Sequence, residues 1–165
     1  MDFVAPAPDD QHAVAIYHMS EVNMGWYIGC LAIFENQQLP KLILNPKKLA
    51  ICGLTNAARW ASPNLLYITE YCTSKQGFLG LPFIIMDLER KKFAYLPIEN
   101  ALAYRLELVG KSVKLIEENK DRRFPPHNRE KYTLNKLTWL KFSKLGASSK
   151  DYIKAMNAAK KGRKK

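Results

Sequence analysis

A faint internal duplication constrains this chain more than any other feature. Leu31, Ala32 and Ile33 of one copy fall on Ile84, Ile85 and Met86 of the other, an offset of 53 residues. Both copies read as three short strands. In the first, an apolar run Ala13–Tyr17 passes through a polar gap to Ile28–Phe34, then through a short turn at Glu35–Gln38 to Leu39–Leu44. In the second, Leu65–Tyr71, Leu81–Leu88 and Phe93–Ile98 follow the same plan, with Glu89–Lys92 as the turn and Tyr95 and Leu96 aligned on Leu42 and Ile43. Repetition on this scale implies one supersecondary unit stacked on its sibling, because neither buries its apolar face alone.

The remaining segments extend that β reading. Ala5–Asp10 is an extended, proline-bearing lead-in. His12–His18 alternates, with Val14, Ile16 and His18 on one face and Ala13, Ala15 and Tyr17 on the other. Met19–Trp26 breaks the alternation and reads as an unusually apolar surface loop, a candidate contact site. Lys47–Asn56 reads as a further strand. Tyr104–Leu108 and Ser112–Glu117 read as a hairpin closed around Val109-Gly110-Lys111. Beyond a charged linker at Glu118–Arg123, Leu134, Leu137, Leu140 and Leu145 sit near helical spacing, so a helix is expected there, ended by Gly146. Leu140 and Phe142 also alternate with Lys141 and Ser143, as a strand would. Ser148–Asp151 reads as the N-cap of a last helix whose apolar face is Tyr152, Ile153 and Met156.

The expected fold is therefore mainly β: two repeated three-stranded units plus a hairpin, in an open or sandwiched antiparallel sheet with C-terminal α-helices. Residues 1–118 are expected to form the β-repeat domain. Residues 119–165 form a basic, helical extension packed on it, with a flexible tail from about 159.

Charge divides the chain at nearly the same place. Residues 1–100 carry 8 Lys and Arg against 9 Asp and Glu, whereas residues 101–165 carry 18 against 6. Such asymmetry suggests that the C-terminal third meets something anionic. Lys160, Lys161, Arg163, Lys164 and Lys165 form its densest part, an anion-binding tail or a solvated end that aids solubility. The longest apolar stretch, Phe78–Met86, is far shorter than the ~20 residues a membrane helix needs. With no basic start or apolar run at Met1–Pro6, a cytoplasmic location is expected. Cys30, Cys52 and Cys72 are odd in number and lack a C-x-x-C pair, so all three read as reduced thiols.

No catalytic constellation emerges, and neither an enzyme nor a cofactor is expected. Ser62 lies in Ala-Ser-Pro rather than a nucleophile elbow. Cys30 and Cys72 need a base brought by folding. His12 and His18 share a strand face near Asp9 and Asp10, but a third zinc ligand is not evident, so no metal is expected. Gly77–Gly80 lacks the Lys-Ser/Thr of a phosphate loop. The acidic residues Glu21, Glu35, Glu70 and Asp87 form no evident pair, and Asp87 suits a turn. Nucleic acid is the alternative partner, because Tyr132, Trp139, Phe142 and Tyr152 are interleaved with Lys in the basic third. A protein partner is favoured. Its anchors are Met24, Trp26 and Tyr27, since aromatic and Met side chains carry interface energy, with Glu21 and Arg59 for orientation.

The run Trp60-Ala61-Ser62-Pro63, Leu66–Ile68, Phe83–Leu88 and Lys92–Ala94 resembles a β-propeller blade, although two copies and a hairpin cannot close a ring. With Ser20–Gly25 in the first gap, the same segments resemble small bacterial immunity proteins, the toxin-neutralising kind found beside type VI and other polymorphic-toxin effectors. That resemblance implies a non-enzymatic inhibitor that plugs or grips a cognate toxin, with no membrane involved. The basic C-terminus then points to an acidic toxin or to a target other than a nuclease.

Overall fold

The computed structural model describes residues 3–23, 26–35, 41–52, 58–70, 72–74, 77–80, 82–98, 100–118, 129–145 and 149–162. Its first layer is a four-stranded antiparallel meander of β1 (Phe3–Pro6), β2 (His12–Asn23), β3 (Trp26–Glu35) and β4 (Lys41–Cys52), in that order. The second layer is built from β5 (Ala58–Ser62), β6 (Leu65–Thr69), β9 (Phe83–Asp87) and β10 (Lys92–Tyr95). A small hairpin, β7 (Cys72–Ser74) with β8 (Gly77–Gly80), is inserted between β6 and β9. The third layer is β11 (Tyr104–Val109), β12 (Ser112–Glu117) and β13 (Lys131–Thr133). A two-residue strand, β14 (Leu140–Lys141), returns to the second layer and completes the order β14-β10-β9-β6-β5.

The duplication is visible as two matching meanders, β2-β3-β4 and β6-β9-β10. In the first, Val14 lies opposite Ile33 and Ile16 opposite Leu31; in the second, Leu66 lies opposite Met86 and Ile68 opposite Ile84. These eight side chains form one core between the two sheets, joined by Phe93 and Tyr95. The offset of 53 holds for β3 and β9, but β2 matches β6 at 52. Side chains alternate faces along a strand, so a one-residue slip was needed to keep the same face inward.

The second sheet is buried on both faces. Leu65, Tyr67, Phe83, Ile85 and Leu96 point the other way, into a separate core with Leu106, Val113, Leu115 and Tyr132 of the third sheet. This explains why Leu-Leu-Tyr-Ile-Thr and Phe-Ile-Ile-Met are continuous apolar runs rather than alternating ones. The architecture is thus three stacked antiparallel sheets, a sandwich whose central sheet is buried on both faces.

Local chemistry sets the connections. Asp87 ends β9 by accepting the Arg90 backbone N–H at 2.9 Å, and Lys91 takes the positive φ of 51° that lets the chain turn back into β10. Val109 pairs with Ser112, so the β11–β12 turn is Gly110-Lys111 alone. A φ of 59° at its first residue is the pattern of a type II′ turn.

Three expectations are corrected. Over the described residues 41–52, the strands expected at 39–44 and 47–56 are one strand, β4; the rest of both lies outside the described residues. Pro46 interrupts β4 without ending it, because it lies at a register shift on a sheet edge, where its missing N–H is tolerated. No α-helix forms over 134–145. Leu134–Lys136 and Phe142–Lys144 are single 3-10 turns flanking β14. That segment crosses the edge of the central sheet and feeds both cores: Leu134, Leu137 and Trp139 into one, Leu140, Phe142 and Leu145 into the other. A helix presents one stripe and could not do so. The single α-helix among the described residues is α1 (Ser149–Gly162), whose expected apolar face is partly revised. Its buried face is Tyr152, Ala155 and Met156, while Ile153 is exposed.

Candidate functional site

Met19–Trp26 is not a loop among the described residues. β2 continues to Asn23 and β3 starts at Trp26, so the segment is the end of a long hairpin. Its alternation fails because the pairing slips twice, between His18 and Ser20 and between Glu21 and Asn23. Each slip leaves one β2 residue, Met19 and then Val22, without an opposite number, as in a β-bulge. Bulges sharpen twist and re-aim a strand end, which suits a contact site as well as a loop does.

Register gathers most of the expected contact residues here. Glu21 lies opposite Tyr27, which lies opposite Ile51 of β4; Asn23 lies opposite Trp26, which lies opposite Cys52. Met24 is outside the described residues. Arg59 is elsewhere. Its neighbour Trp60 packs against the core between the first two sheets and donates its indole N–H to Ala5 O at 3.3 Å. Arg59 therefore takes the opposite face of β5, directed at the third sheet.

There Arg59 is committed to an ion network that bridges two layers. Its guanidinium meets Glu118 Oε2 at 2.8 Å, Arg105 Nε meets Glu118 Oε1 at 3.5 Å, and Arg105 also pairs with Glu107. Partial burial opposes the Arg59 charge, but the hydrogen bond to Glu118 and the neighbouring Tyr67 more than offset it, so its pKa is raised. Nothing in the local sequence signals the Arg59–Glu118 pair, because its members lie 59 residues apart along the chain. Since both Arg59 and Glu118 are about a third exposed, the expected cost of Glu118→Gln is about 1 kcal/mol, shrinking in ~1 M salt. Urea titrations at two salt concentrations check it.

The first sheet adds a second feature. Its outer face, opposite the core, should be polar in a sheet wetted on one side. Instead Val4 is 47% exposed and Tyr17 38%, around the buried pair Ala15 and Ala32, with Pro6 exposed at the margin. Exposed apolar residues thus lie on both β1 and β2, Tyr17 being the one nearer the bulged hairpin end.

The other sites fare as follows. Ser62 is half-buried at the end of β5; Cys30, Cys52 and Cys72 occupy β3, β4 and β7. His12 lies opposite Glu35, and Asp9 accepts the Gln11 backbone N–H at 3.0 Å. Glu70 accepts the Tyr95 hydroxyl at 3.0 Å. Among the described residues no group of three His, Cys, Asp or Glu is placed to hold a metal ion, and no helix is long and apolar enough to cross a membrane. Lys160 and Lys161 continue α1, with Lys161 exposed; Arg163, Lys164 and Lys165 lie outside the described residues. Comparison with protein-family models, with curated proteins and with solved structures found no match.

Proposed function

We propose that this protein is a non-enzymatic inhibitor that binds another protein, acting in the cytoplasm as an immunity protein that neutralises a cognate bacterial toxin of the polymorphic or type VI secretion kind. The observation that carries the reading is the outer face of the first sheet, with Val4 and Tyr17 exposed where a wetted sheet places polar groups. It leads into the bulged end of the β2–β3 hairpin, where Glu21, Trp26 and Tyr27 share adjacent rungs. A rigid pleated surface with apolar and aromatic residues is suited to dock against a partner with little ordering cost.

The test is co-expression with the toxin-like product of a neighbouring reading frame in a bacterial host. Growth should be restored by this chain. The double variant Trp26→Ala/Tyr27→Ala should bind that product at least ~30-fold more weakly, the scale of interface hot spots. Removing residues 160–165 should leave neutralisation intact. Turnover of a substrate by the purified protein, abolished by a single side-chain change, would end the proposal.

A further inference from the structure

We propose that the β10–β14 edge of the central sheet binds the phosphate backbone of duplex nucleic acid, through Lys91, Lys92, Lys141 and Lys144 and without reading base sequence. Pairing sets Lys92 directly opposite Lys141. Like charges facing each other across strands repel. The Phe142 backbone N–H donates to Lys91 O at 3.4 Å, which brings Lys91 beside the turn that carries Lys144. Four lysines thus lie along one edge, three of them exposed and Lys92 half-buried. Asp87, on the other side of Lys92, is occupied by the Arg90 backbone N–H and lies 3.9 Å from the Arg90 guanidinium. Arg90 itself stacks over Trp139 at 5.1 Å.

The surroundings extend the patch and define its chemistry. Residues 129–161 carry nine Lys or Arg against two acids, and every one of these cations whose side chain is described is exposed. The aromatics of the same segment turn inward: Tyr132 is 2% exposed, Phe142 7% and Tyr152 2%, while the Trp139 indole N–H is held by Leu134 O at 2.8 Å. Holding single strands requires aromatic faces offered to bases, and protein interfaces centre on apolar anchors with charge at the rim. A surface rich in exposed cations, with its aromatic rings turned inward, matches a dense, regular array of phosphates, the sequence-independent part of duplex recognition.

The experiment measures binding of the full chain to two unrelated duplexes of ~20 base pairs by fluorescence anisotropy as salt rises. Four phosphate contacts predict a slope of log K against log salt of about −4, so affinity falls about 10²-fold for a fourfold rise in salt. Both duplexes should bind equally. Lys91→Gln/Lys92→Gln/Lys141→Gln/Lys144→Gln should abolish the salt-dependent binding while circular dichroism shows an intact β fold. Lys91→Gln/Lys144→Gln, which leaves the strand pairing untouched, should halve the slope to about −2. The proposal is overturned if these variants bind as the parent does, if removing residues 160–165 alone eliminates binding, or if one duplex is strongly preferred. It is also overturned if anionic vesicles or an acidic peptide bind at this edge and the duplexes do not.

Discussion

Phe93→Ala is expected to destabilise the protein by about 3–5 kcal/mol, and Phe83→Ala by a similar amount, the usual scale for emptying a buried phenylalanine site. The two rings lie on opposite faces of the same sheet. Phe93, 1% exposed, packs edge-on to Tyr95 with ring centres 5.9 Å apart, in the core shared with the first sheet. Phe83, 2% exposed, packs edge-on to Tyr67 at 5.1 Å, in the core shared with the third. Equal losses are the signature of a sheet with two dry faces. A sheet wetted on one side would leave one of the pair nearly neutral, and that result would contradict the three-layer stack. Urea unfolding of both variants, with Val4→Ala as an exposed reference expected within ~0.5 kcal/mol of the parent, makes the comparison.

Tyr152→Ala should cost about 3–5 kcal/mol and free α1 from the body of the protein. The ring is buried against Tyr95, with centres 5.8 Å apart, and its hydroxyl donates to Ile98 O at 3.0 Å. A 14-residue helix rich in lysine does not hold itself together in water. Its stability therefore comes from this anchor and from Ala155 and Met156 beside it. Hydrogen exchange should show protection lost across 149–162 in Tyr152→Ala, with the sheets still protected. Tyr152→Phe keeps the packing and gives up the hydrogen bond to a buried carbonyl, so about 1 kcal/mol is expected. Unchanged exchange in the alanine variant would mean that the helix is held by something other than its tyrosine.

The candidate surfaces differ in how far they could be read in advance. The apolar character of Met19–Trp26 was plain, and so was its candidacy as a contact site. Its conformation was not, because a bulge breaks alternation in the same way that a loop does. Arg59 was singled out as an orienting charge, yet its partners Glu118 and Arg105 come from another sheet. The aromatic residues Tyr132, Trp139, Phe142 and Tyr152 of the basic third were open to two readings, stacking platform or core. Packing assigned Tyr132, Phe142 and Tyr152 to the core.

What the chain's own pattern determined was the repeat, the strand content, the continuous apolar runs of the central sheet and the separation of positive charge into the last third. These are local or periodic properties, and a single strand's composition carries them. Which strands share a face, where the register slips, and which lysines confront one another depend on pairing between residues far apart in the chain. Side-chain alternation makes every such outcome turn on a shift of one residue. Only the assembled tertiary structure decided these, because the free energy separating one register from the next resides in the packed cores and not in any one strand.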